Sequence, residues 1–112
     1  MTDESIWLAM TNLPDLTHAR TIAHALVEAK LAACVNILPA VQSVYRWQGK
    51  VEQATEVTLL IKTTQRQYPR LQQAIVAAHP YDVPEVIGWP LAAGHPPYLH
   101  WVAAETYSDS HA

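Results

Sequence analysis

Val35-Asn36-Ile37-Leu38-Pro39-Ala40-Val41-Gln42-Ser43-Val44-Tyr45-Arg46-Trp47, then Gln48-Gly49-Lys50, then Val51 through Thr63: this stretch decides the fold. It reads as one long antiparallel hairpin that turns at Gln48-Gly49-Lys50. Apolar or aromatic residues recur at alternate positions: Val35, Ile37, Val41, Tyr45, Trp47, then Val51, Val57, Leu59 and Ile61. A period of two predicts that they share one face. Pairing Trp47 with Val51 sets Arg46 against Glu52, Val41 against Val57 and Ile37 against Ile61, which keeps the apolar set together. Each arm has about 13 residues, hence roughly 40 Å of strand. A compact chain of this length has a diameter of only about 34 Å. The arms therefore overhang their own domain. Strands that expose Val44, Tyr45, Trp47 and Val51 need cover. Copies of the same chain supply it most simply, so a homo-oligomer is expected.

Outward from the hairpin, each flank carries one strand and one helix. Ile6-Trp7-Leu8-Ala9-Met10 reads as a buried first strand, ending at Thr11-Asn12-Leu13-Pro14. Asp15 is a good N-cap, because its carboxylate accepts free N–H groups of the first helical turn. Leu16, Ala19, Ile22, Ala23, Leu26 and Val27 then recur at helical spacing, to about Lys30. After Thr63, the residues Tyr68, Leu71, Ala74, Ile75 and Ala78 make the stripe of a second helix. Thr64 and Gln67 suit a capping box at its start. His79-Pro80 stops it, because a residue before proline avoids the α region. Glu85 to Trp89 is a last strand, and Pro90 places it at an edge. Tyr98, Trp101, Val102 and Glu105 mark a short third helix with Pro97 in its first turn. The chain is thus α+β, a ferredoxin-like β-α-β-β-α-β order with a long central hairpin and a C-terminal helix. Right-handed crossovers put both main helices on one sheet face, and a neighbouring subunit is expected on the other.

The composition excludes several classes. The chain has 112 residues, half of them apolar, which fits one domain spanning 1-112 with a real core. Its net charge is −3, without a basic run, so nucleic acid is not an expected partner. No apolar run is long enough to span a bilayer, so no membrane association is expected. Met1-Thr2-Asp3-Glu4-Ser5 lacks a positive leader segment. The single cysteine, Cys34, rules out an intrachain disulfide and fits a cytoplasmic setting. Ser108 to Ala112 reads as a frayed tail.

The topology gathers Met10-Thr11-Asn12, the hairpin tip and the segment from His79 to Glu85 at one end. Cys34 and Lys62-Thr63 fall at the other. His79, Tyr81, Asp82 and Glu85 form the one cluster that looks chemical, in a loop pinned by Pro80 and Pro84. An imidazole and carboxylates suit a borderline divalent ion, with His79 and Glu85 as ligands. The bland alternative has His79 capping helix two, with Tyr81 and Glu85 tying the loop to a neighbour. Tyr45 and Trp47, with Tyr81 and Asp82, are candidates to line a ligand or interface cleft, where Trp and Tyr are enriched. Cys34 reads as a small core residue rather than a ligand. The other histidines are expected in solvent. No phosphate loop and no nucleophile-base pair can be assembled, so an enzyme is not expected.

Taken together, several segments resemble one family. They are Lys30-Leu31-Ala32-Ala33-Cys34-Val35-Asn36-Ile37, Ser43 through Val51 with Glu56, Lys62-Thr63-Thr64, His79 through Glu85, and Tyr98-Leu99-His100-Trp101. In this order and spacing they resemble the CutA family, named for divalent-cation tolerance. The resemblance implies a small cytoplasmic homotrimer of ferredoxin-like subunits with a role in tolerance to copper (Cu2+) and other divalent ions. In some bacterial members it implies copper ligation by a cysteine ending strand one and a His-His pair before Pro-Tyr. Here those places read Thr11, Ala78 and His79, so one of the three is retained and no cofactor is required. An alternative from the same architecture is a trimeric module that binds a small molecule or partner, as the PII signalling proteins do.

Overall fold

The computed structural model describes residues 4–108. Residues 1–3 and the expected frayed tail from residue 109 on lie outside them. The elements are β1 (Ile6–Leu13), α1 (Leu16–Glu28), β2 (Cys34–Trp47), β3 (Lys50–Thr64), α2 (Tyr68–Ala78), β4 (Val86–Pro90) and α3 (Pro96–Glu105). One antiparallel sheet carries them in the order β2-β3-β1-β4. This is the expected ferredoxin-like α+β order with an added C-terminal helix.

Alternation along each strand divides the sheet into two faces. Ala9, Leu13, Val57, Leu59 and Ile61 point toward α1 and α2, where Ala19, Ile22, Leu26, Leu71 and Ile75 complete the core. Asp15 caps α1 as expected, accepting from the His18 N–H at 2.8 Å. The capping box at α2 forms only in half. Thr64 Oγ1 accepts the Gln67 N–H, but the Gln67 side chain donates instead to the carbonyl oxygens of Thr106 and Lys30. Gly88 of β4 lies against Tyr68 of α2, and a Cβ there would collide with its ring. The second face carries Leu8, Met10, Leu60 and, with side chains still exposed, Leu38, Ile87 and Trp89. Helix α3 contacts β3 and β1 at the base of the sheet, buries Val102 and brings Tyr98 to Cys34.

The hairpin departs from the expected register in two ways. Its turn has two residues, Gln48 and Gly49, both with positive φ (50° and 81°), which is the type I′ geometry that matches strand twist. Trp47 therefore pairs with Lys50, not Val51, and Tyr45 rather than Arg46 faces Glu52. Further down, Leu38 pairs with Thr58 but Val41 with Glu56, so Pro39 and Ala40 oppose the single residue Val57. This is a β-bulge, with Ala40 at φ 62°. Ile37 consequently pairs with Leu59 rather than Ile61. The bulge also breaks the single apolar face. Val35 and Ile37 face the helices, whereas Val41, Tyr45 and Trp47 turn to the second face. Beyond the core the hairpin projects freely, and the chain measures 49 × 28 × 23 Å.

Candidate functional site

At the end of the sheet where β1 finishes, the hairpin arm and the segment from His79 to Glu85 enclose an open cleft of about 560 Å³. It is lined by Asn12 of β1, Tyr45 and Trp47 of β2, Glu56 of β3, and Tyr81, Asp82 and Glu85 of the loop before β4. The bulge makes this possible, because it turns Tyr45 and Trp47 onto the face that carries Glu56. The expected gathering of the three segments at one end is what the topology produces.

Asn12 is the hub. His79 Nε2 lies 2.7 Å from the Asn12 carbonyl oxygen and must carry the proton to donate to it. Asn12 Nδ2 donates to Glu85 Oε1 at 3.0 Å, and the Thr58 hydroxyl donates to Asn12 Oδ1 at 2.6 Å. His79 and Glu85 thus converge on one residue, although they sit six places apart in sequence. The second ring nitrogen of His79, Nδ1, accepts the Tyr81 N–H at 3.2 Å. Both nitrogens are therefore engaged, and a neutral Nε2–H ring satisfies both bonds. Burial pushes the His79 pKa down, opposed by its bond to Asn12 and by the charge of Glu56. His79 is also the C-cap of α2. Its role as ligand would require breaking one of these bonds.

Tyr81 stacks obliquely on His79 with ring centroids 4.8 Å apart, and its hydroxyl donates to Glu56 Oε2 at 2.8 Å. Burial first, then that bond, raises the Tyr81 pKa, so the phenol stays protonated. Within its own chain the loop is tied by Tyr81 to β3 and by Glu85 to β1. Among the described residues no group of three or more His, Cys, Asp or Glu is placed to hold a metal ion. Thr11, at the place where the resemblance puts a ligand, is fully buried on the helix-covered face with its hydroxyl unpartnered. It does not reach the cleft.

With this geometry in hand, comparison with known proteins is decisive. The family described as CutA1 divalent ion tolerance protein matches residues 7–105. The chain belongs to that family. It is 48% identical over 99 residues to the divalent-cation tolerance protein CutA of Thermus thermophilus, covering 88% of this chain and 96% of that one. It is 44% identical over 108 residues to protein CutA of Mus musculus, where it spans 96% of its own length but 61% of the mouse protein's. The crystal structure of CutA from Xylella fastidiosa superposes with a TM-score of 0.89 at 41% identity, covering 92% of this chain and 99% of that one. The names of these CutA relatives describe tolerance or nothing further, and none names an enzyme. No described helix is long and apolar enough to cross a membrane.

Two residues of the cleft carry more than their sequence context shows. Glu56 stands out in the sequence only through the resemblance, yet it lies inside the cleft at 8% exposure. Its signal was a charge inside a strand that otherwise turns apolar at Val57. Asn12 reads from sequence only as the end of a strand. At the opposite end, Cys34 is half-buried beside Lys62, whose Nζ lies 3.8 Å from the sulfur and also bonds Asn36. Burial and then Cys34 raise the pKa of Tyr98, which closes this corner. Nothing there meets the cleft, so His79 and Cys34 are not brought together.

Proposed function

We propose that this chain serves divalent-cation tolerance as a cytoplasmic homotrimer that binds a cation such as Cu2+ weakly at the edge of the cleft near the hairpin tip. The observation that carries the reading is the convergence of His79 and Glu85 on Asn12 beside an open cleft, in a chain of the CutA1 family. Weak binding follows from the chemistry. A cation taken by His79 must first displace the Asn12 carbonyl or the Tyr81 N–H. Glu85 and Asp82 offer hard oxygen ligands without a third donor nearby. A second copy supplies the missing wall. Val44, Val51 and Trp47 at the hairpin tip and Ile87 and Trp89 on the open sheet face are all exposed, more apolar surface than a solitary protomer ordinarily keeps.

Titration of the protein with Cu2+ tests the reading. Glu85→Gln and His79→Ala should each weaken binding by about tenfold or more, as loss of a ligand or its support does. Isotherms identical to that of the unaltered protein would remove the site. The aromatic lining of Tyr45, Trp47 and Tyr81 favours a second reading, a trimeric module that binds a small organic ligand or partner without metal chemistry.

A further inference from the structure

Resting on the reading of this cleft as the ligand site, we propose that its preferred occupant is an organic cation, an ammonium group held between the aromatic wall and the Glu56 carboxylate. The state of Glu56 carries the argument. Its side chain lines the cleft, yet the residue is 8% exposed. It accepts one bond from the neutral hydroxyl of Tyr81. The ion pairs among the described residues are His18 with Asp15 and Arg66 with Glu4, and neither involves Glu56. A buried carboxylate with no counter-charge among the described residues of its own protomer is costly, and a hydroxyl relieves the hydrogen-bond deficit but not the charge. The cleft is built to be completed by a positive group.

Three further features select an organic cation over a bare metal ion. Asp82 and Glu85 add carboxylates at the mouth, no Lys or Arg lines the cleft among the described residues, and His79 stands behind Tyr81 rather than in the lining. Tyr45, Trp47 and Tyr81 line the same space, and aromatic rings attract cations through their negative faces, Trp most strongly. The volume, about 560 Å³, suits a small organic molecule, whereas the donors are too dispersed to hold one metal ion tightly.

Calorimetric titration of the full chain with tetramethylammonium chloride and with n-butylammonium chloride tests the proposal. Sodium chloride at equal ionic strength and tert-butanol, uncharged and of similar shape to tetramethylammonium, are the references. Saturable binding of at least one ammonium and none of tert-butanol is expected. Glu56→Gln, which keeps an acceptor oxygen for Tyr81, should weaken that binding by about tenfold or more. Asp82→Asn should weaken it less, because Asp82 stands at the exposed mouth. Circular dichroism and melting of both variants establish that they fold. Equal binding of tert-butanol would make the cleft merely apolar and overturn the proposal. So would an unchanged Glu56→Gln isotherm, or no binding of either ammonium. A cleft that binds Cu2+ through Glu85 but neither ammonium ends this proposal alone. One that binds none of the three ends the cleft reading as well.

Discussion

The two ends of the central hairpin both carry large apolar side chains, and those side chains have opposite fates. At the base, Leu59 and Ile61 are fully buried and Val57 nearly so. At the tip, Val44 and Val51 are 68% and 66% exposed, and Tyr45 and Trp47 more than 40%. One strand pair thus holds a core segment and a bare segment, divided by the bulge at Pro39-Ala40. The base is apolar because α1 and α2 lie on it. The tip is apolar although no part of its own chain covers it. Burial within the protomer therefore cannot be the reason for the tip's residues, and their cost in exposure has to be offset elsewhere.

The largest effect that tests this contrast is on stability. Leu59→Ala should cost about 2–5 kcal/mol, because it empties a site fully enclosed by strands and helices. Val51→Ala, equally apolar and in the same strand, should stay within about 0.5 kcal/mol, as surface changes do. Urea unfolding of both at a single low protein concentration measures the difference. Similar losses from the two would mean that the tip is packed after all, and the division at the bulge would fail.

Trp47→Ala comes next, and its effect should appear in association rather than in folding. If the tip is covered by a second copy, truncating its largest ring removes an interface anchor, worth about 2 kcal/mol or more at a buried aromatic contact. Sedimentation at low concentration should then show smaller species while the unfolding midpoint extrapolated to low concentration barely moves. Intact assemblies in the variant would assign Trp47 to the cleft alone.

The same contrast explains what could be read from the residues. The element order, the N-cap at Asp15, the break at His79-Pro80 and the edge position of β4 all follow from local chemistry, and local chemistry is what a sequence displays. The register was not legible because it depends on two single-residue features, the two-residue I′ turn and the bulge. Gln48 at positive φ is unusual for that residue type, so the turn read one residue too long. Pro39, without an N–H to donate, was the sign that the ladder is interrupted in that arm. An unbroken ladder would keep Tyr45 and Trp47 on the face of Val35 and Ile37, and the bulge instead brings them to the face of Glu56. The cluster from His79 to Glu85 was legible as a group. Its bonding was not, because Asn12 lies far away in the chain and nothing local marks it as the hub.

The smallest effect tests how firmly the tip-side loop is fastened to the base. His79 joins the two, its Nε2–H on the end of β1 and its Nδ1 on the backbone of the cleft loop. Its pKa is pushed below the ordinary 6.5, mainly by burial. Between that lowered value and 6.5 the unfolded chain binds more protons than the native one, so stability must rise with pH across this window. His79 accordingly contributes its full share above 6.5 and loses it as the solution is acidified, with a slope no steeper than about 1.4 kcal/mol per pH unit, the one-proton limit. Protonation also forces Nδ1 to surrender the Tyr81 N–H, so the loop should loosen with the fall in stability. Urea midpoints between pH 5 and pH 7.5, compared with His79→Gln, isolate the contribution, because the two proteins differ only at this residue. A slope unchanged by the substitution would mean that the ring is not the fastening, and that base and tip are joined through Asn12 and Glu85 alone.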